Sequence, residues 1–223
     1  MYSMMDLLRN SAAKQAAGPE PGDFKSLMRR SASEGKSRPE SRPLIHLGTR
    51  PLETERLLLR PFVLEDVPDV LRNWASDPLV QAGYFEQVCE TEDEVASLLK
   101  RYMAGYIHDD YYRWAVTLKE TGEGLGQIGI FLVDTARNFG ELEYCISRRF
   151  QNRGLATEAA LAVIKFALEE VRFHRLQICH RENNQSSKRV IEKCGFVYEG
   201  TLREFYHFDD HYDDRLYYSI VGK

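Results

Sequence analysis

The sequence predicts a mixed α/β protein, a central sheet with helices on both faces. Three observations carry this. Beyond residue 50 the apolar residues switch repeatedly between a period of two and a period near 3.6. Strands come in a run first, and helices separate the later ones. The 223 residues, 43% of them hydrophobic, suit one ordinary domain with a sizeable core and a tail.

The tail comes first. The stretch "AAGPEPGDFKSLMRRSASEGKSRPESRP" holds Pro, Gly, Ser and charge without an amphipathic period, so residues 1–48 read as a disordered or weakly ordered extension and residues 49–223 as the folded domain. "RLLLRPF" (56–62) is the first clear strand, and "LEDVPDVLRNWASD" a helix opened by acids and Pro68, with Val67, Val70, Leu71 and Trp74 on one face. "TEDEVASLLKRYMAGYI" is a second helix, with Thr91 and Glu94 at capping-box spacing. "RWAVTLKE" and "GQIGIFLVD" flank the turn signal "TGEGLG" and form a hairpin, and "GELEYCIS" continues the sheet. A long helix over Thr157 to Val171, the strand "RLQICH", a helix over Ser186 to Cys194, and the strand pair "GFVYEGTLREFYHF" and "DDRLYYSIVG" complete the order.

Composition excludes several classes. With 30 basic and 34 acidic residues the chain carries a net charge of -4, unlike a general nucleic-acid binder. Residues 1–50 account for +4 and residues 51–223 for -8. The acidic domain fits a cationic substrate such as an amine or basic peptide, and solvated surface charge explains it as well. No apolar run approaches the roughly 18 residues of a membrane helix. Met1 to Asn10 lacks the charged start and apolar core of a secretory signal, so a cytoplasmic protein is expected. Cys89, Cys145, Cys179 and Cys194 show no CxxC spacing and read as reduced thiols.

The segment "QNRGLAT" runs from a polar loop directly into the long helix. Gly154 lets the backbone approach a ligand, and the free N–H groups and positive dipole end of the helix make an anion site suited to a pyrophosphate. The loop is neither a Walker loop nor a GxGxxG fingerprint. Some thirty residues on, after one strand, stands "NNQSSKRVIEKCGF", so two helix starts converge at one edge of the sheet.

Here the sequence resembles the GCN5-related N-acetyltransferase (GNAT) superfamily. The form [QR]xxGx[GA] is matched by Gln151, Gly154 and Ala156, and an NxxS…EKxGF block by Asn184, Ser187, Glu192, Lys193, Gly195 and Phe196. That block, with "ETERLLLRPFVLED" and "YEGTLRE", is similar to the branch containing the ribosomal-protein N-terminal acetyltransferases. The resemblance covers roughly residues 50 to 221 and implies a mostly antiparallel sheet with a splayed strand pair that receives acetyl-CoA as co-substrate, with no metal. The folded domain is then an N-acetyltransferase domain acting on an amine, with no nucleic-acid or membrane partner, as a monomer or homodimer.

The resemblance also implies roles. The loop Gln151, Asn152, Arg153, Gly154, Leu155, Ala156 and Thr157 would hold the pyrophosphate, with Arg153 or Arg148 adding charge. Tyr144, Cys145, Ile146 and Ser147 would pair with pantetheine as an added strand, and the N–H near Cys145 or Ile146 would stabilise the oxyanion. Asn184 would bond the pantetheine arm. Glu141 stands where relatives carry the general base, with Glu143 on the same face as its reserve. Many relatives protonate the leaving thiolate with a tyrosine where this chain has Ile191, so Ser187 is the substitute, or else it caps its helix.

Three functions stand open: acetylation of a protein N-terminal amine, acetylation of a small amine (polyamine, amino acid or antibiotic), and acyl-CoA binding without turnover. Glu141 and Ser187 favour an enzyme, and the loops before Arg113 and the final hairpin would set the acceptor. Cys145 is a packing residue before it is a nucleophile. "FDDHYDD" is an acidic hairpin tip before it is a metal site, and Tyr111, Tyr112, Tyr84 and Phe85 are aromatic packing before they are substrate contacts.

Overall fold

The computed structural model describes residues 43–84, 87–208 and 210–222. Among the described residues, eight strands form one sheet in the order β1-β2-β3-β4-β5-β6-β8-β7. They are β1 (Leu52–Glu53), β2 (Leu57–Arg60), β3 (Tyr112–Leu118), β4 (Gly124–Asp134), β5 (Phe139–Ile146), β6 (Arg175–Arg181), β7 (Val197–His207) and β8 (Tyr212–Val221). Every neighbouring pair is antiparallel except β5 and β6. A parallel pair needs a long crossover, and the helix following residue 154 supplies it.

The helices are α1 (Val67–Val70), α2 (Pro78–Tyr84), α3 (Glu92–Gly105), α4 (Leu155–Lys165) and α5 (Gln185–Lys193). Sequence periodicity missed α2, and the helix expected to run on from α1 widens into a π-type turn over Leu71–Ala75. Thr91 and Glu94 do form the capping box of α3: Thr91 Oγ1 accepts from the Glu94 N–H at 3.3 Å, and Glu94 Oε2 accepts from the Thr91 N–H at 3.0 Å.

Two apolar layers hold the sheet. On one face α4 and its π-type continuation Phe166–Val171 bury Leu155, Ala159, Val163, Phe166 and Val171 against Trp114, Ile128, Leu142 and Leu176. On the other, Val67, Val70, Trp74, Val95 and Leu99 meet Phe62, Ala115 and Cys145. Burying each Val, Leu, Ile or Phe side chain among these stabilises the fold by about 1.5–3 kcal/mol.

The domain begins before residue 49. Leu44 and Leu47 rest against the first core, the Ile45 N–H donates to the Val171 carbonyl at 2.9 Å, and the Gly48 N–H to that of Asp109 at 2.7 Å. Composition hid this because two leucines in a six-residue segment make no period. Residues 1–42 of the expected extension lie outside the described residues.

The feature that positions the site is the β5–β6 pair. Its partners are Phe139 with Arg175, Gly140 with Leu176 and Glu141 with Gln177, yet β5 runs on to Ile146 and β6 to Arg181. From residues 142 and 178 onward the two strands therefore splay, leaving a cleft with Glu141 at its apex. The Ser147 N–H donates to the Leu125 carbonyl at 2.8 Å. Antiparallel alternation along β5 then turns the backbone groups of Cys145 toward β4 and those of Tyr144 and Ile146 into the cleft.

Candidate active site

The loop after β5 forms one wall of the cleft. A 3₁₀ turn over Arg148–Phe150 leads to Gln151, whose Nε2 donates to the Ile146 carbonyl at 3.1 Å and ties the loop to the strand end. Asn152 and Gly154 both take left-handed backbone, at φ 61° and 78°. At Gly154 this suits glycine and lets the chain enter α4 as its N-cap. The first bond of the helix runs from the Glu158 N–H to the Gly154 carbonyl at 3.0 Å. The N–H groups of Gly154, Leu155, Ala156 and Thr157 precede it and have no acceptor among the described residues. Gln151 to Gly154 are exposed while Leu155 is buried, so a core residue anchors an open loop.

The expected cations behave differently from each other. The Arg148 Nε is held by Asp77 Oδ2 at 2.5 Å, whereas Arg153 lies over the Phe150 ring at 5.4 Å without an ion pair among the described residues. Arg153 is the better placed of the two to meet a phosphate.

The opposite rim belongs to α5. Asn184 is its N-cap, and its Oδ1 accepts from the Ser187 N–H at 3.0 Å. The cap is thus made by Asn184, and the Ser187 hydroxyl stays out of it. Ser187 Oγ lies 3.1 Å from the Tyr144 hydroxyl, a contact no sequence spacing announces. Burial raises the Tyr144 phenol above its ordinary pKa, so it keeps its proton at neutral pH. Ile191 is fully buried in the core.

Glu141, Glu143 and Cys145 share the other face of β5. Glu141 is 1% exposed, and its Oε1 accepts from Arg215 Nη2 at 2.6 Å and from Cys179 Sγ at 3.4 Å. Its Oε2 accepts from Gln177 Nε2 at 2.6 Å. Three donors thus hold this buried carboxylate in place, two on Oε1 and one on Oε2. Arg215 in turn lies between aromatic rings, 4.9 Å from Phe205 and 4.6 Å from Tyr217. Glu143 is less enclosed, with its side chain 23% exposed and its Oε1 accepting from Arg113 Nη2 at 2.8 Å. Arg113 also donates to Gln127 Oε1 at 2.8 Å and lies 4.4 Å above the Tyr102 ring. Sequence reading named neither Arg215 nor Arg113 as a partner.

The remaining candidates resolve as follows. Burial pushes the Cys145 thiol up to about 12, which leaves it without nucleophilic thiolate at neutral pH. At the hairpin tip, Asp210 Oδ1 and Asp213 Oδ1 lie 2.6 and 3.6 Å from the His211 ring nitrogens, while Asp213 also faces Arg181 and Asn183. Among the described residues no three or more His, Cys, Asp or Glu side chains converge as a metal site. Tyr112 is buried against Trp114 and Phe166, and Tyr111 meets Tyr106 edge-on. The Tyr84 side chain and Phe85 lie outside the described residues. No helix among the described residues is long and apolar enough to cross a membrane.

Comparison with known proteins bears on this arrangement. Residues 56–197 match the acetyltransferase (GNAT) domain model. The chain is 28% identical over 160 residues to the spermidine N(1)-acetyltransferase of Escherichia coli strain K12, covering 71% of this chain and 82% of that protein. It is 31% identical over 102 residues to YdaF of Bacillus subtilis, named as a candidate ribosomal N-acetyltransferase, covering 46% of this chain and 56% of that protein. The crystal structure of a GNAT-family acetyltransferase from Bacillus anthracis superposes with a TM-score of 0.68 at 26% identity, covering 77% of this chain and 98% of that one.

Proposed function

The chain belongs to the GNAT acetyltransferase family, and from that membership we propose that it moves acetyl from acetyl-CoA directly onto a primary amine in a ternary complex, the acceptor being the N-terminal amine of a protein. The observation that carries the acceptor is the pairing of both β5 carboxylates with guanidinium groups, Glu141 with Arg215 and Glu143 with Arg113. A polyamine needs uncompensated carboxylates for its further charges. A lysine-type amine, with a pKa of about 10.4, needs a strong base, whereas an α-amine near 8 already arrives partly neutral.

The residues fit the co-substrate, which supplies an activated thioester. The unpaired N–H groups of Gly154 to Thr157 and the Arg153 guanidinium would hold the pyrophosphate. Tyr144 and Ile146 offer backbone groups to the pantetheine amides, and the Ile146 N–H, not that of Cys145, faces the cleft to receive the thioester oxygen. Asn184 would add its Nδ2, since its Oδ1 is spent on the cap. Glu143 meets the amine and accepts its proton, through water where the distance requires. Glu141 stands fixed behind it at the apex. Ser187, backed by the Tyr144 hydroxyl, donates a proton to the departing thiolate.

A second reading, a small polyamine acceptor, is favoured by the 28% identity to a spermidine acetyltransferase. Initial rates with acetyl-CoA against a panel of peptides with free N-termini, N-blocked lysine peptides, spermidine and amino acids decide the matter. Turnover confined to free N-termini supports the proposal. Preference for spermidine would replace it with the second reading, and acetyl-CoA binding without turnover on any amine would reduce the chain to a binding module.

A further inference from the structure

One cluster beside the loop is absorbed by none of these roles. Glu158 lies in the first turn of α4, and its carboxylate collects four donors from the segment between β1 and β2. Thr54 Oγ1 and the Arg56 N–H reach its Oε1 at 2.5 and 2.9 Å, and Arg56 Nε and Nη2 reach its Oε2 at 2.7 and 2.6 Å. The same guanidinium extends to the loop: Arg56 Nη1 donates to the Arg153 carbonyl at 3.0 Å. Its Nη2 stands 3.5 Å from where a Cβ on Gly154 would be. One side chain thus grips the loop and the first helical turn together.

As an ion pair this has little weight for stability. The Arg56 side chain is 46% exposed, and solvent screens pairs of that kind almost completely. Its position matters more. In a trans peptide the carbonyl and the following N–H point in opposite directions. Holding the Arg153 carbonyl toward Arg56 therefore aims the Gly154 N–H away from it, as one of the unpaired donors at the helix start. Charge points the same way. An uncompensated Glu158 carboxylate one turn from a bound pyrophosphate would repel it, and Arg56 cancels that charge.

We propose that Arg56 is a positioning residue for the phosphate part of the co-substrate, orienting the Arg153–Gly154 peptide and neutralising Glu158, without itself taking part in chemistry. The proposal rests on the assignment of acetyl-CoA to this loop. It confines the effect to phosphate-bearing ligands, because the strand groups that would meet pantetheine are not among the contacts of Arg56.

The test uses the full chain and two probes: acetyl-CoA, titrated by calorimetry, and acetyl-pantetheine, which has the thioester arm but no phosphate, followed by ligand-observed NMR. Arg56→Gln should weaken acetyl-CoA about tenfold or more, the scale of one charge-assisted contact, and leave acetyl-pantetheine unchanged. Adding Glu158→Gln should recover part of the loss by removing the anion left without its counter-charge. Unchanged acetyl-CoA affinity in Arg56→Gln would overturn the proposal. So would equal weakening of both probes, which marks general loss of structure. A wild-type chain that binds acetyl-pantetheine or neither probe, but never acetyl-CoA more tightly, would remove the loop assignment and this inference with it.

Discussion

The two flanks of the splayed strand pair follow opposite hydrogen-bonding rules. At the loop flank, the N–H groups from Gly154 to Thr157 are unpaired and the residues before Leu155 are exposed. At the flank formed by Glu141 and Glu143, polar atoms are enclosed and partnered, by Arg215, Gln177 and Cys179 on one carboxylate and Arg113 on the other. Water can satisfy an exposed donor until a ligand replaces it, so leaving donors open costs the fold little. A carboxylate sealed at the sheet centre has no such recourse and must carry its own counter-charge. The loop flank can therefore be altered with large effects on ligand binding and small ones on stability, and the apex with the reverse.

The largest contrast is expected at Gly154. Gly154→Asp places bulk and negative charge among the open donors, at a backbone φ of 78° that favours glycine. Acetyl-CoA affinity should fall by about a hundredfold or more while the chain remains folded. Gly154→Ala, which keeps the strain without the charge, should lose less. Calorimetric titration of both, with circular dichroism as the folding check, tests the loop. Wild-type affinity in a folded Gly154→Asp protein would end its assignment as a phosphate site.

At the apex the order reverses. Glu141→Gln leaves the Arg215 guanidinium, whose side chain is 5% exposed, without its anion, and breaking a buried pair in this way costs about 3–5 kcal/mol. Denaturant midpoints should fall steeply for Glu141→Gln. The double variant Glu141→Gln with Arg215→Met should recover much of the loss, because it removes the stranded charge. Failure of the double variant to recover would mean that the pair is not what holds this part of the sheet. Loss of turnover with unaltered stability in Glu141→Gln would return the general-base role to Glu141.

Much of the frame was legible in the sequence for reasons these flanks make plain. The strands β3 to β6 were legible within a residue or two, β6 from its strict alternation of buried and half-buried side chains and the doubly covered β3 and β4 from apolar runs bounded by turn residues. Gly154 was legible because a loop that enters a helix through left-handed backbone favours glycine, whereas the cap that the sequence offered to Ser187 is made by Asn184. Arg215 was not, since it meets Glu141 across 74 positions of sequence and nothing local marks it. The Tyr144–Ser187 contact was hidden for the same reason, as it joins a strand to a helix that the intervening crossover brings back. Helix α2 follows the π-type turn, where the period lengthens and ordinary helical spacing breaks.

Between these extremes lies Glu143, exposed enough to meet an amine yet paired with Arg113. Glu143→Gln keeps the hydrogen bond from Arg113 and removes basicity, so turnover should fall by about a hundredfold at neutral pH, the scale of general-base catalysis. Acetyl-CoA affinity should hardly change. The penalty should shrink as pH rises through about 8, where an α-amine arrives already deprotonated. A penalty that is constant with pH would point to a positional role for Glu143, and near-normal rates would leave proton removal to solvent.

The smallest effect is expected at the rim of α5, and it tests whether two hydroxyls act as one. Ser187→Ala removes the group 3.1 Å from the Tyr144 hydroxyl but leaves the helix cap intact, since the cap runs from the Ser187 N–H to Asn184 Oδ1. Tyr144→Phe removes only an oxygen and keeps the ring in place. If Ser187 donates to the leaving thiolate and Tyr144 orients it, Ser187→Ala should slow turnover about tenfold and Tyr144→Phe about threefold, less than the usual hundredfold general-acid effect because a thiolate is a good leaving group and water can also protonate it. The double variant should be no slower than Ser187→Ala alone, because a supporting hydroxyl has nothing left to support. Residues acting independently would instead multiply, to about thirtyfold, which a double-mutant cycle on kcat resolves. Multiplication would separate the two hydroxyls, and wild-type rates in Ser187→Ala would leave the thiolate to be protonated from water entering the same cleft.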